Sequence, residues 1–238
     1  MSCQFCATPV TIPERGTIVF HHLHVNEWNH PFPLILSERT DDSFAYSFHS
    51  HQQLYHALES ISSVRSDQQW VDILNGDQTQ SISIMIQHLY ERLHEPMLTD
   101  VLQQGRFSSH LQPIVHMEQE AIFGYEALLR SEDHGINPGF LFSHAHRAGL
   151  HSYLDQQARR TAVKTKSELL YQGEKIFINF LPSTIYVPEF CLRHTFDVIE
   201  NYQIAPEDLV FEVVETEKIA DVRHLKNIFN VYKQAESR

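Results

Sequence analysis

The chain is short of cysteine, of basic side chains and of long apolar runs, and each shortage closes off a class of protein. Its three cysteines are too few for a disulfide framework. No apolar run approaches the ~20 residues of a membrane-spanning helix. The N-terminus lacks a basic stretch followed by an apolar one, the pattern of a signal peptide. The expectation is a cytoplasmic protein with no membrane partner. Lys and Arg total 18 against 30 Asp and Glu, a formal net charge of −12. Affinity for a phosphate backbone needs clustered Lys and Arg, so a nucleic-acid polymer is an unsuitable partner. A small anionic ligand held locally by a metal ion stays compatible with this charge. There is no internal repeat and no low-complexity tract.

What is present is a globular composition, 42% hydrophobic and 20% charged over 238 residues. That length accommodates one large domain or two smaller ones. Seventeen histidines are the unusual count. Residues 1–95 differ from the rest and read as a small α+β N-terminal domain. Residues 17–25 have a His-rich strand pattern. Residues 54–62 and 81–94 read as helices, the second with Ile82, Ile86, Leu89 and Leu93 at spacings of three and four. Pro96 stops it, and a short helix over 98–104 ends at Gly105. We place the domain boundary at about residue 96. Tyr55, Trp70 and Phe44 read as core.

From there the pattern is strands alternating with helices. Strands are expected over 111–116, 121–129, 175–180 and 209–215, and helices over 138–148, 151–172, 188–202 and 218–235. The last carries Ile219, Val222, Leu225, Ile228, Phe229 and Tyr232 at helical spacing. Such a series predicts a parallel sheet with helical crossovers, a barrel or an open sheet. Cys191 reads as a small buried hydrophobe.

Three of these strands place a polar ligand type inside an apolar run: Glu126 in Tyr-Glu-Ala-Leu-Leu, Asn179 in Phe-Ile-Asn-Phe-Leu, and Glu212 in Val-Phe-Glu-Val-Val-Glu. Ionised groups are costly in apolar surroundings unless compensated. Two carboxylates and a carboxamide are hard oxygen donors suited to Mg²⁺ or Mn²⁺. Side chains near the C-terminal ends of successive barrel strands converge on one face. The plainer reading is that a neighbouring cation or backbone group satisfies each residue separately.

Gln112-Pro113-Ile114-Val115, then Gly124-Tyr-Glu126-Ala127-Leu128-Leu129-Arg130, Asn179 after an apolar triplet, and Glu212-Val-Val-Glu215 resemble the EAL domain family in order and spacing. The resemblance covers about residues 98–238. It implies an α/β fold, the first half of a TIM-like (β/α) barrel over 96–238. It implies a bacterial signalling phosphodiesterase that hydrolyses cyclic di-GMP to linear pGpG with Mg²⁺ or Mn²⁺. By matching position, Glu126, Asn179 and Glu212 are implied metal ligands, and Glu126 and Glu215 catalytic-site residues, Glu215 steadying an adjacent loop. Arg130 is the implied phosphate contact and Gln112 a ligand-side residue. A homodimer through the EAL domain is a further expectation.

The family's later Asp-Asp-Phe-Gly segment, lysine, glutamate and glutamine have no counterpart here. The sequence therefore reads as a C-terminally truncated copy, inactive as it stands and without micromolar affinity for cyclic di-GMP. The alternatives are a non-catalytic EAL-like binding or signalling scaffold, or a remnant without function. Towards the N-terminus, Cys3 and Cys6 form a lone Cys-x-x-Cys pair. His22 and His24 alternate onto one strand face and could complete a Zn²⁺ site with them. Ordinary thiols and solvated histidines are the plainer reading. Fused N-terminal domains in this family often regulate, which makes residues 1–95 a candidate regulatory domain.

Overall fold

A computed structural model of the chain describes residues 11–21, 32–40, 42–61, 69–132, 135–214 and 221–236. Backbone contacts divide the chain into two compact units. One comprises Pro9–Gln103 with Ser143–Gly149; the other contains Gln104–Phe142 and the chain from Leu150 onward.

The first unit is built on five strands: β1 (Gly16–His21), β2 (Ile35–Arg39), β3 (Ser43–Phe48), β4 (Trp70–Asn75) and β5 (Ser81–Met85). They lie in the order β2-β3-β1-β4-β5, every neighbouring pair antiparallel. Alternation along β1 and β4 sends Ile18, Phe20, Val71 and Ile73 inward, all essentially inaccessible. Helix α1 (His51–Glu59) joins β3 to β4, which flank β1 on its two sides. This is a split β-α-β arrangement. Ser50 caps α1 by accepting from the backbone N–H of Gln53 at 3.1 Å. Leu54 and Leu58 of α1, and Ile86 and Leu89 of α2 (Ile86–His94), complete the core. Helix α3 (Pro96–Gln104) follows, and Gly105 turns the chain at φ +64°.

Two sequence expectations fail in this unit. Residues 81–94 are not one helix, because Ser81–Met85 forms a strand. Ser-Ile-Ser-Ile alternates with period two, and pairing with β4 outweighs the accidental helical spacing of Ile82 and Ile86. Trp70 is not core; it opens β4 and is 58% exposed. Phe44 and Tyr55 are half-buried against the core as expected.

The second unit starts with a hairpin of β6 (Phe107–His116) and β7 (Ala121–Ser131). Helix α4 (Pro138–Arg147), counted with the first unit from Ser143 on, then α5 (His151–Leu169), strand β8 (Lys175–Phe180), short helix α6 (Pro188–Cys191), α7 (Arg193–Asn201), strand β9 (Leu209–Val213) and α8 (Val222–Glu236) follow. The sheet order is β6-β7-β8-β9, with β7, β8 and β9 parallel. β6 departs from the all-parallel expectation: it runs antiparallel to β7. Residues 117–120 are too few for the dozen or so residues of a parallel crossover. The predicted helix over 188–202 is interrupted at Leu192, between α6 and α7. Helix α5 ends at Leu169, where the Lys166 ammonium donates to the carbonyls of Tyr171 and Glu174, both at 2.6 Å, and pairs with buried Asp208 at 3.0 Å.

One face of this sheet is covered by helices. Ala127, Ile176, Ile178 and Leu209 pack with Ala162 and Val163 of α5. Phe180 packs with Cys191, Ile228 and Tyr232. Cys191 is buried as expected, whereas Val222 stands 58% exposed, and Ile219 lies outside the described residues. Within this layer Asp155 and Arg159 of α5 form an ion pair with almost no solvent access. The Asp155 carboxylate also accepts from the Leu181 backbone N–H at 3.1 Å and the Thr184 hydroxyl at 2.8 Å. Arg159 Nε donates to the Thr195 hydroxyl at 3.0 Å. The network ties α5 to α7 and to the turn after β8. Among the described residues no helix is long and apolar enough to cross a membrane.

Candidate functional site

Strand parity assigns the other face of the second sheet. Ala127 and Leu129 turn to the helices, so Glu126, Leu128 and Arg130 share the opposite face. Residues paired across a ladder share a face. Gln112 is directly opposite Glu126, which also pairs in register with Phe177. Asn179, two residues after Phe177, pairs with Glu212. All five polar residues expected from the described part of the sequence pattern therefore lie on one face.

Glu126 and Asn179 are in contact. The Asn179 carboxamide Nδ2 donates to Glu126 Oε1 at 2.7 Å. With the nitrogen so engaged, the amide oxygen is the atom left for another electropositive partner. Partial burial raises the Glu212 carboxyl above its ordinary 4.5, and the Glu126 charge raises it further. Two mutually repelling carboxylates with a carboxamide oxygen beside them form a donor set that a hard divalent cation would neutralise. The residues fit such an ion. Among the described residues, no three His, Cys, Asp or Glu side chains are grouped as a metal site.

Aromatic rings border this set. Phe123 and Phe177 lie with centroids 5.9 Å apart. Phe123 is the extra residue of a β-bulge, since Ile114 pairs with Gly124 but Val115 with Ile122. Gly124 is required next to it, because a Cβ there would lie 2.8 Å from the Lys175 carbonyl and 2.9 Å from the Phe177 ring. Arg130 is four residues beyond Glu126 on the same face, about 13 Å along the strand. One of its guanidinium nitrogens donates to the Leu129 carbonyl at 2.8 Å.

The pattern reading missed two features. The Phe123–Phe177 contact depends on the bulge and on strand pairing, and no local sequence signal marks it. His110 lies opposite Leu128 on the face of Glu126. Alternation from Gln112, two residues later, was the signal that could have found it. Glu215, Cys3, Cys6, His22 and His24 lie outside the described residues.

A mixed sheet, parallel from β7 to β9, with helices on one face and carboxylates and a carboxamide on the other defines an α/β protein of TIM-like type. The sequence matches the EAL domain family over residues 95–237, and the chain belongs to that family. The probable cyclic di-GMP phosphodiesterase PdeB of Escherichia coli (strain K12) is 25% identical over 159 residues, 64% of this chain and 31% of that protein. A standalone EAL protein from Vibrio cholerae O395, solved in a c-di-GMP bound form, is 36% identical with a TM-score of 0.46, over 55% of this chain and 54% of that one. The FimX EAL domain has a TM-score of 0.50 at 20% identity, over 59% of this chain and 58% of that one. The chain thus spans about a third of the curated relative and just over half of these solved structures.

Proposed function

We propose that this chain carries the cation-holding and phosphate-binding residues of a cyclic di-GMP phosphodiesterase site, for metal-dependent hydrolysis to linear pGpG. The observation that supports this reading most is the placement of Glu126, Asn179 and Glu212 on one face of adjacent strands, with Asn179 bonded to Glu126. Mg²⁺ or Mn²⁺ bound there would supply Lewis acidity toward a phosphoryl oxygen and toward water.

The protein's own part is positioning. Glu126 and Glu212 contribute negative charge, and the hydrogen bond from Asn179 fixes which oxygen of Glu126 stays available. The Arg130 guanidinium offers a planar fork for phosphate oxygens. Gln112, exposed on β6 opposite Glu126, can bond a nucleotide edge or phosphate. Glu215, outside the described residues, keeps the role the resemblance implies, steadying an adjacent active-site loop. Three donors among the described residues are few for the two-ion clamp of a phosphodiester displacement. The chain by itself is therefore expected to hold a cation and the nucleotide weakly and to turn over slowly. A binding or signalling scaffold is the second reading, favoured by that short donor set.

Titration of the purified chain with Mn²⁺, followed by electron paramagnetic resonance, tests the site. Saturable binding that Glu126→Gln and Glu212→Gln each weaken at least about 10-fold is expected. Equal affinity in all three proteins would refute the assignment. Chromatography of cyclic di-GMP and pGpG after incubation with Mn²⁺ then separates a slow phosphodiesterase from a scaffold. Zinc analysis with and without Cys3→Ser decides whether Cys3 holds Zn²⁺.

A further inference from the structure

We propose that His110 is a substrate-contacting residue, donating a hydrogen bond to a phosphate oxygen of the nucleotide at this site; the inference rests on the reading above. The ladder fixes its position. On β6, Ser108 pairs with Arg130, His110 with Leu128 and Gln112 with Glu126. All six share the open face. A phosphate held between the cation donors at Glu126 and the guanidinium of Arg130 must pass over Leu128. Leu128 has no hydrogen-bonding group. Its polar neighbour on the β6 side is His110, while Asn179 on the β8 side already spends its Nδ2 on Glu126.

The His110 side chain is exposed and makes no hydrogen bond to a described residue. β6 is the edge strand of its sheet, so no further strand among the described residues stands beyond the ring. A neutral imidazole has one N–H to donate, which suits an anionic oxygen whether or not the ring is charged. An exposed, unbonded side chain has little structural work to lose. Its replacement should therefore change binding without changing stability.

The test uses the whole chain in Mg²⁺ with cyclic di-GMP as the probe. The imidazole Cε1–H resonance of His110, assigned by its loss in His110→Ala, is followed during the titration. It is expected to shift with the same saturation curve as the backbone amides of Glu126 and Asn179. His110→Ala should weaken cyclic di-GMP about 10-fold or more, the scale of a hydrogen bond to a charged group. His110→Gln, which keeps a donor, should recover part of that. Mn²⁺ affinity and melting temperature should not move in either variant. If Glu126 and Asn179 respond but His110 does not, and His110→Ala binds as tightly as the natural chain, the inference is wrong and the site assignment stands. If cyclic di-GMP moves none of these resonances at millimolar concentration, the site assignment for this chain is wrong and His110 loses its role with it.

Discussion

Replacing Asp155 with alanine strips the counter-ion from Arg159 in a place that water does not reach. The two side chains are 3% and 1% accessible. An unpaired charge left in such a position typically costs about 3–5 kcal/mol. Two donors also lose their acceptor, the Leu181 backbone N–H and the Thr184 hydroxyl. Thr184 keeps its second bond, to the Leu181 carbonyl at 2.7 Å, so its loss is the smaller. For a protein of this size about 3–5 kcal/mol corresponds to a fall in melting temperature of roughly 6–20 °C. Urea unfolding followed by circular dichroism gives the free energy directly. The paired change Asp155→Leu with Arg159→Met should recover most of the loss, because it removes both charges and keeps apolar volume. A single Asp155→Ala variant within about 1 kcal/mol of the natural protein would refute the argument that this pair is isolated from solvent. Leu181 is two residues past Asn179, so the same variant should also weaken Mn²⁺ binding.

Three further changes separate other parts of the structure. Burial, then the charges of Arg92 and His146, lower His88 from 6.5 to about 4. The unfolded chain then binds a proton that the folded one refuses, so stability should fall as pH drops from about 6.5 to 4; His88→Gln should flatten that part of a stability-against-pH curve. Glu212 is shifted the other way, so cation-free protein should lose stability as pH rises through the window just above 4.5. Glu212→Gln should remove that slope and also the stabilisation by added Mn²⁺, both read by thermal melting. Gly124→Ala drives a methyl group against the Lys175 carbonyl and the Phe177 ring, and should cost about 1–3 kcal/mol in urea unfolding.

Glu126, Asn179 and Glu212 were legible in the sequence because each interrupts an apolar strand, and a polar group in such a run needs a reason. Their order and spacing also carried the family. The strands of the second unit were legible for a similar reason: Lys175–Phe180 is a short apolar run with Gly173 before it and Pro182 after it. Ladder partners were not. The direction of β6 is set by the length of the turn before β7, and its rows, including that of His110, exist only once pairing is known. Ser81–Met85 was misread because two isoleucines satisfy a helical spacing and a strand alternation equally well. The burial of Asp155 and Arg159, four residues apart on α5, was likewise not legible, because it depends on the layers packed around that helix.

The bulge at Phe123 has a consequence for how this protein can change. It lies between the turn of the hairpin and Glu126. Side-chain direction along a strand is a matter of odd and even, and one inserted or deleted residue ordinarily inverts it for everything beyond. A single residue already out of step gives the chain a place to absorb such an error. Insertions at the hairpin tip can be taken up by moving or erasing the bulge, while the parity of Glu126, Leu128 and Arg130 stays locked to β8. The tip is thereby free to drift in length without turning Glu126, Leu128 and Arg130 to the other face.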